Sequence, residues 1–370
     1  GQGRRADLAV GFLGPDVDTR AGGAVAASGS DAFYMPGFGW ISRAGRLTYG
    51  IGVYAQGGMG TEYDAATPLA LGSGDPVRSE VGVGRLLFPL AFEATERLQI
   101  GGSLDVVWAG MDLRMAVSGA DLGGMVSGFD PGWAPLFPAL GGASWARFDF
   151  SDDSDYSGQA KGYGLAWKVG AVYQVAPTLS VGGAYHSATA LDDLEGPAAL
   201  SAEGGFTDSG EVAVRDFQWP ATAALGVAWR PTPAWLLAAD VKRIFWADVL
   251  ERFRMTYISP TFGALDVEMQ QDWNDQTVYQ LGAAYQLTSA LILRAGVNLS
   301  DNPIPDAWVH PLFPAIIEDH YALGLGYRFA GGELNFSLTH APEVAVTNTL
   351  TGLRMSHSQT SWQLMYSWRY

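Results

Sequence analysis

Cysteine is absent from the 370 residues, which excludes a disulfide scaffold, thiolate metal sites and thiol catalysis. Positive charge is scarce: 22 Lys and Arg face 38 Asp and Glu, for a formal net charge of −16. Phosphate binding wants the opposite excess, so nucleic acid is not expected as a partner. Long apolar runs are missing as well. Hydrophobic residues make up 48% of the chain and mean hydropathy is +0.07, yet uninterrupted apolar stretches stay short, as in LLFPLAF at 86–92. A membrane helix needs roughly 20 such residues, so no helical span is expected. No charged-then-apolar signal segment opens the chain, and Gly1 reads as the start of a mature or trimmed product. No Walker-type loop or Gly-x-Ser-x-Gly elbow occurs.

What the chain has in abundance is alternation. It ends SWQLMYSWRY, with Trp362, Leu364, Tyr366, Trp368 and Tyr370 at every second position. Successive side chains of a strand point to opposite faces, so this is a strand with one apolar and one mixed face. The rhythm recurs at 47–56, 163–173 and 321–329, where the second face carries Gly, Ala and single charges. Small, mixed residues are what a barrel lumen accommodates. Strands are expected near 5–14, 33–43, 47–57, 81–94, 98–115, 161–174, 178–190, 211–230, 234–256, 264–287, 290–300, 317–330, 332–346 and 354–370. That is 14, an even number, as single-chain outer-membrane barrels require.

Connections alternate between tight (43–46, 95–97, 175–177, 231–233, 288–289, 331) and long (15–32, 58–80, 116–160, 191–210, 257–263, 301–316, 347–353). A Lys or Arg on the lipid face at mid-bilayer costs about 2–4 kcal/mol. Arg85, Asp105, Lys168, Asp240, Lys242, Arg294 and Arg328 all fall on the inward face in this register. The expected fold is therefore all-β: a single domain over 1–370 forming a 14-stranded antiparallel transmembrane barrel with short periplasmic turns and long extracellular loops. The expected location is the bacterial outer membrane, with lipid and lipopolysaccharide around a monomer. The terminal aromatic of the last strand is similar to the signal read by the barrel-assembly machinery.

The third loop, 116–160, with a short helical segment, puts Leu122, Met125, Val126, Phe129, Trp133, Leu136, Phe137 and Leu140 outside the barrel. Exposed apolar patches of that size are seldom idle. They either form a groove that captures a hydrophobic ligand or pack a small core beneath the loop. Lys168, Arg294 and Arg328 are candidate lumen cations for an anionic head group, with Lys242 beside them; the alternative is that they pair with lumen carboxylates, as buried charges must. The runs at 152–155 and 192–195 read as solvated loop surface. Acidic loops favour a neutral hydrocarbon over a fatty-acid anion. His186, His310, His320, His340 and His357 match no zinc spacing, and Ser356-His357-Ser358 reads as a loop. No catalytic residue, metal or cofactor is expected.

Several stretches resemble the FadL/TodX family of outer-membrane transporters for fatty acids and other hydrophobic compounds. GADLGGMVSGFD (119–130) is similar to the family's Gly-Asp-Leu-Gly stretch in the third loop, and SGQAKGYGLAWKVGAVYQV (157–175) to the strand leaving it. LRAGVNLSDNPIPD (293–306) resembles its Arg-x-Gly strand followed by an Asp-x-Pro-x-Pro loop, and GVYAQGGMGTEYD (52–64) its third strand. The resemblance implies passive uptake of hydrophobic small molecules, long-chain fatty acids or aromatic hydrocarbons. Ligand would be captured at the extracellular loops and released laterally where the third strand kinks, which points here to Gly57 and Gly58 unless these merely begin a loop. The family's N-terminal hatch, with its Asn-Pro-Ala stretch, has no counterpart in a chain whose first strand starts near Arg5; either it has been removed or gating differs. Rival readings are an unspecific porin, an outer-membrane enzyme and a purely structural barrel.

Overall fold

The computed structural model describes residues 3–154 and 157–370. The readings of Gly1 as a processed start and of Asp155 as a loop acid lie outside the described residues. Sixteen strands build the wall: β1 (Arg4–Ala21), β2 (Phe33–Ala44), β3 (Leu47–Tyr63), β4 (Val77–Glu93), β5 (Leu98–Val117), β6 (Ala146–Phe150), β7 (Ala160–Ala176), β8 (Leu179–His186), β9 (Leu194–Ala202), β10 (Thr222–Thr232), β11 (Trp235–Ile244), β12 (Gln276–Gln286), β13 (Leu291–Ser300), β14 (His320–Phe329), β15 (Gly332–Thr347) and β16 (Arg354–Arg369). Pairing runs antiparallel from β1 to β5, through β6, β9 and β7, then β8 and β10 to β16. β16 pairs with β1 from Arg5↔Arg369 to Arg20↔Arg354, which closes the barrel.

The closed barrel thus has sixteen strands, which corrects the expected 14. The two additional strands, β6 and β9, lie inside segments read as loops. β5 pairs directly with β7 from Leu98↔Tyr173 to Met111↔Ala160; beyond that, β5 takes β6 as partner and β6 takes β9. β6 reads ARFDF, with Ala146, Arg147, Phe148 and Phe150 all buried. A strand covered on both faces shows no alternation, so the sequence pattern gave no sign of it.

A second correction concerns three long strands. The expected 211–230, 234–256 and 264–287 are each interrupted, at 216–221, 245–251 and 271–275. The outer pieces, Phe206–Arg215, Arg252–Ser259 and Gly263–Gln270, branch from β9 as an outer extension of the same sheet and take in Val126–Phe129 of the third loop. Asp216 and Asp272, with φ of 53° and 46°, turn the chain at two of the breaks. Aspartate tolerates this left-handed region better than most residues.

Side-chain faces follow the dyad. In β7, Tyr163 and Leu165 are 64% and 62% exposed on the lipid face, while Gly162 and Ala166 are buried inside. Midway along the strands Trp362 stacks on Phe12 at 5.8 Å; at the tight-turn end Tyr366 stacks on Trp368 at 5.6 Å, and Trp40 Nε1 donates to Tyr370 Oη at 3.0 Å. The apolar face of SWQLMYSWRY therefore joins an aromatic girdle of the kind that sits at a membrane interface. Gly45 (φ 61°) and Gly331 (φ 92°) supply the left-handed positions of two tight turns. The main hydrophobic core lies between the outer halves of β3–β5, the outer sheet and the two short helices α1 (Gly119–Met125) and α2 (Phe137–Gly142).

Candidate functional site

The three strand interruptions each contribute one tryptophan to the same place. Trp219, Trp246 and Trp273 form an edge-to-face ladder, with centroids 5.7 Å and 5.0 Å apart. Aromatic pairs prefer this geometry because the positive ring edge meets the negative face. The breaks are pinned by hydrogen bonds. Gln218 accepts from Thr189 Oγ1 and Leu191 N, both at 2.8 Å, and donates to Leu191 O at 2.9 Å. Trp273 N donates to Leu250 O at 3.1 Å, and Asn274 N to Pro303 O at 2.8 Å. Against this ladder lies a cavity of 170 Å³, walled also by Met59, Val81, Met111, Phe253 and Phe313.

The cavity abuts an irregularity in the wall. β2 and β3 pair from Ala44↔Leu47 only as far as Gly37↔Tyr54. Residues 33–36 of β2 continue to pair with β1, and residues 55–61 of β3 with β4 alone. Pro36 stands where the ladder ends, and a proline has no N–H to extend it. Further out, Gly29 N donates to Glu62 O at 2.7 Å and closes the seam again. The result is a window in the sheet. Gln56 is the extra residue of a bulge against β4, between Ala55↔Gly84 and Gly57↔Val83. A Cβ on Gly57 would lie 3.1 Å from the Trp219 ring, and one on Gly58 would lie 2.5 Å from the Val81 carbonyl oxygen. Only glycines let the strand pass this close.

Below the window sits a buried ionic cluster. Arg85 and Asp105 are both 0% exposed, with Nη1 donating to Oδ2 at 3.0 Å. Nη1 also lies 2.8 Å from His186 Nε2, Ser103 Oγ donates to Asp105 Oδ1 at 2.6 Å, and Arg85 Nε donates to the bulged Gln56. The cluster ties the bulge to β4, β5 and β8.

The residues singled out in the third loop divide into two groups. Leu122 and Trp133 are buried in the core beneath the loop, where Trp133 meets Tyr257 and Phe262 and its Nε1 donates to Gly263 O at 3.0 Å. Phe129 is 50% exposed and meets Phe137 edge-on at 4.6 Å, with Met125 and Leu136 half-buried. Of the lumen cations, Arg328 Nε donates to Glu333 Oε2 at 3.0 Å, and Arg294 donates to Asn335 Oδ1 at 2.8 Å with its other nitrogen 3.9 Å from Glu333. Lys168 lies across from His186 and has no carboxylate within 4.0 Å among the described residues. His357 Nδ1 donates to Pro314 O at 2.9 Å. The cavity residues had no sequence signal beyond three tryptophans spaced 27 apart.

Residues 26–354 match the family described as outer membrane protein transport protein (OMPP1/FadL/TodX). Among solved structures, the chain is similar to the Pseudomonas putida toluene transporter TodX, at 27% identity and a TM-score of 0.89, covering 100% of this chain and 91% of that one. It is similar to the Ralstonia pickettii toluene transporter TbuX at 26% identity and a TM-score of 0.83, over 100% and 90%. A Pseudomonas aeruginosa FadL homologue shares the fold at 17% identity and a TM-score of 0.75, over 100% and 90%. No curated protein matches the chain. The sixteen-stranded wall, its lipid-facing belt and the family match over most of the sequence agree: the chain belongs to the OMPP1/FadL/TodX family of outer-membrane transport proteins.

Proposed function

We propose that this protein is a passive outer-membrane channel for small hydrophobic molecules, and that its ligands are single-ring aromatics. The observation that carries this reading is the 170 Å³ cavity beside the wall window. An engineered apolar cavity of about 150 Å³ binds benzene, so the volume suits one ring and not a long acyl chain. Two relatives are named as toluene transporters, which favours the same class here. Phe129, Phe137, Met125 and Leu136 offer a first apolar contact at the outer surface. From the cavity, ligand leaves sideways past Gly57 and Gly58 into the membrane. Arg294 and Arg328 already share Glu333, which speaks against a fatty-acid head group at those two positions. The packed core in the outer half speaks against an unspecific porin.

The test is uptake of labelled toluene and labelled oleate by cells making this chain, against empty-vector cells. Toluene uptake without oleate uptake is expected. Selective oleate uptake would overturn the aromatic reading, and equal leakage of both together with hydrophilic sugars would overturn the selective channel.

A further inference from the structure

Among the described residues, the cavity wall carries hydrogen-bond donors that the fold leaves without partners, two of them on Trp246 and Gln271. Trp246 lines it between Trp219 and Trp273, and its Nε1 is buried with no acceptor. Gln271 lines it as well and is 6% exposed. The orientation of its carboxamide is set by Trp273, whose Nε1 donates to Gln271 Oε1 at 3.3 Å. The amide NH2 is therefore turned away from that indole, and among the described residues it bonds to nothing. The other side-chain amide on the wall, Gln218, is held by its own bonds: its oxygen accepts from Thr189 Oγ1 and Leu191 N, and its nitrogen donates to Leu191 O. Among the described residues, no ionisable side chain lines the cavity. The unpaired polarity on offer is thus mostly hydrogen-bond donors, in otherwise aromatic and aliphatic surroundings.

We propose that the cavity selects single-ring aromatics bearing an uncharged acceptor oxygen, such as aryl ketones, aldehydes or ethers, over hydrocarbons of the same shape. The inference rests on the cavity being the ligand site proposed above. A hydrocarbon fills the volume but leaves both donors unpaired, and a buried donor without an acceptor keeps its full desolvation cost. A carbonyl oxygen, with two lone pairs, accepts from Gln271 Nε2, Trp246 Nε1 or both while its ring packs against the tryptophan ladder. A carboxylate brings a charge with no counter-ion. Sites built to hydrogen-bond a ligand discriminate more sharply than sites that only enclose it.

Acetophenone and α-methylstyrene are planar and alike in shape, and differ by C=O against C=CH2. Their binding to the full chain in lipid nanodiscs is measured by equilibrium dialysis for the unaltered protein, Q271M, W246F and A315W. Heat-dependent gel mobility reports that each variant is a folded barrel. Comparing each ligand with itself across variants removes its partition into lipid. In Q271M, W246F or both, acetophenone binding weakens by about tenfold more than α-methylstyrene binding does, the worth of one hydrogen bond. Equal weakening of both ligands, or unaltered acetophenone binding, overturns the inference. A315W fills the cavity and abolishes binding of both ligands. If both still bind to A315W, the cavity is not the site, and the functional reading falls with the inference. If A315W abolishes binding and Q271M and W246F spare acetophenone, the inference alone fails. Q271M replaces no aromatic ring, so it carries the test should W246F not fold.

Discussion

Replacing Arg85 by Met tests the cluster beneath the wall window. The two charges are 3.0 Å apart and both fully buried. At an effective dielectric of about 20, the gross attraction at that separation is about 5–6 kcal/mol. Desolvation offsets much of this, so the pair itself adds little net stability; removing one partner is another matter. R85M leaves Asp105 buried with Ser103 Oγ and His186 as neighbours, and an uncompensated buried charge costs about 3–5 kcal/mol. It also releases the side chain of Gln56 at the bulge. Urea unfolding in vesicles, followed by tryptophan fluorescence and by heat-dependent gel mobility, should show R85M destabilised by about 3–5 kcal/mol, with the R85M/D105L double variant recovering most of it. The reasoning is refuted if R85M lies within about 1 kcal/mol of the parent, or if the double variant is the weaker of the two.

Other positions give independent checks. Gly58→Leu drives a side chain into the Val81 carbonyl and the cavity mouth, and should lower toluene uptake about tenfold, equivalent to roughly 1.4 kcal/mol, in a barrel that still shows heat-dependent mobility. Trp133→Ala empties a fully buried site and should destabilise the third-loop core by about 3–5 kcal/mol in urea; Phe129→Ala should cost about 1 kcal/mol or less and instead reduce uptake at low toluene concentration. Arg294→Gln should leave toluene uptake unchanged, since that side chain already engages Asn335 and Glu333; a specific loss of oleate transport would restore its head-group role. In the loop between β13 and β14, desolvation pushes the His310 imidazole down to about 4, and Nδ1 accepts from Leu312 N at 3.1 Å. The unfolded chain takes up that proton near 6.5, so loop stability is full above 6.5 and is lost as pH falls towards 4. Protease nicking of 301–316 should rise from pH 7 to pH 5, and much less so in His310→Gln.

The wall was legible because lipid and lumen impose opposite demands on alternate residues, as Tyr163, Leu165 and Trp167 against Gly162 and Ala166 illustrate. Where both faces of a strand are covered, as in β6, that signal vanishes; β9, the other strand that raises the number from 14 to sixteen, lies in the Gly-, Asp- and Pro-bearing segment 191–210 that reads as a loop. The interruptions at 216–221, 245–251 and 271–275 were hidden for a related reason: the residues on either side still alternate, and only tertiary contacts show that the chain leaves the wall. The cavity draws Gly58, Trp219, Trp246, Trp273 and Phe313 from distant parts of the chain, and no local pattern marks such a gathering. In β3 the bulged residue is Gln56, a residue with no conformational signature of its own, and Gly57 and Gly58 follow it.

Because the tryptophan ladder sits on interruptions of the wall and not on its membrane-crossing stretches, two kinds of selection act on separate residues. Insertion and assembly depend on the alternation of the strands, whose outward side chains meet only lipid. With the cavity as the ligand site proposed above, ligand preference depends on short connecting pieces that contribute little to that belt. A lineage can therefore rewrite residues 216–221, 245–251 and 271–275 to suit a new compound without endangering the barrel that carries them. Low overall identity among such channels is then compatible with a wall that hardly changes shape.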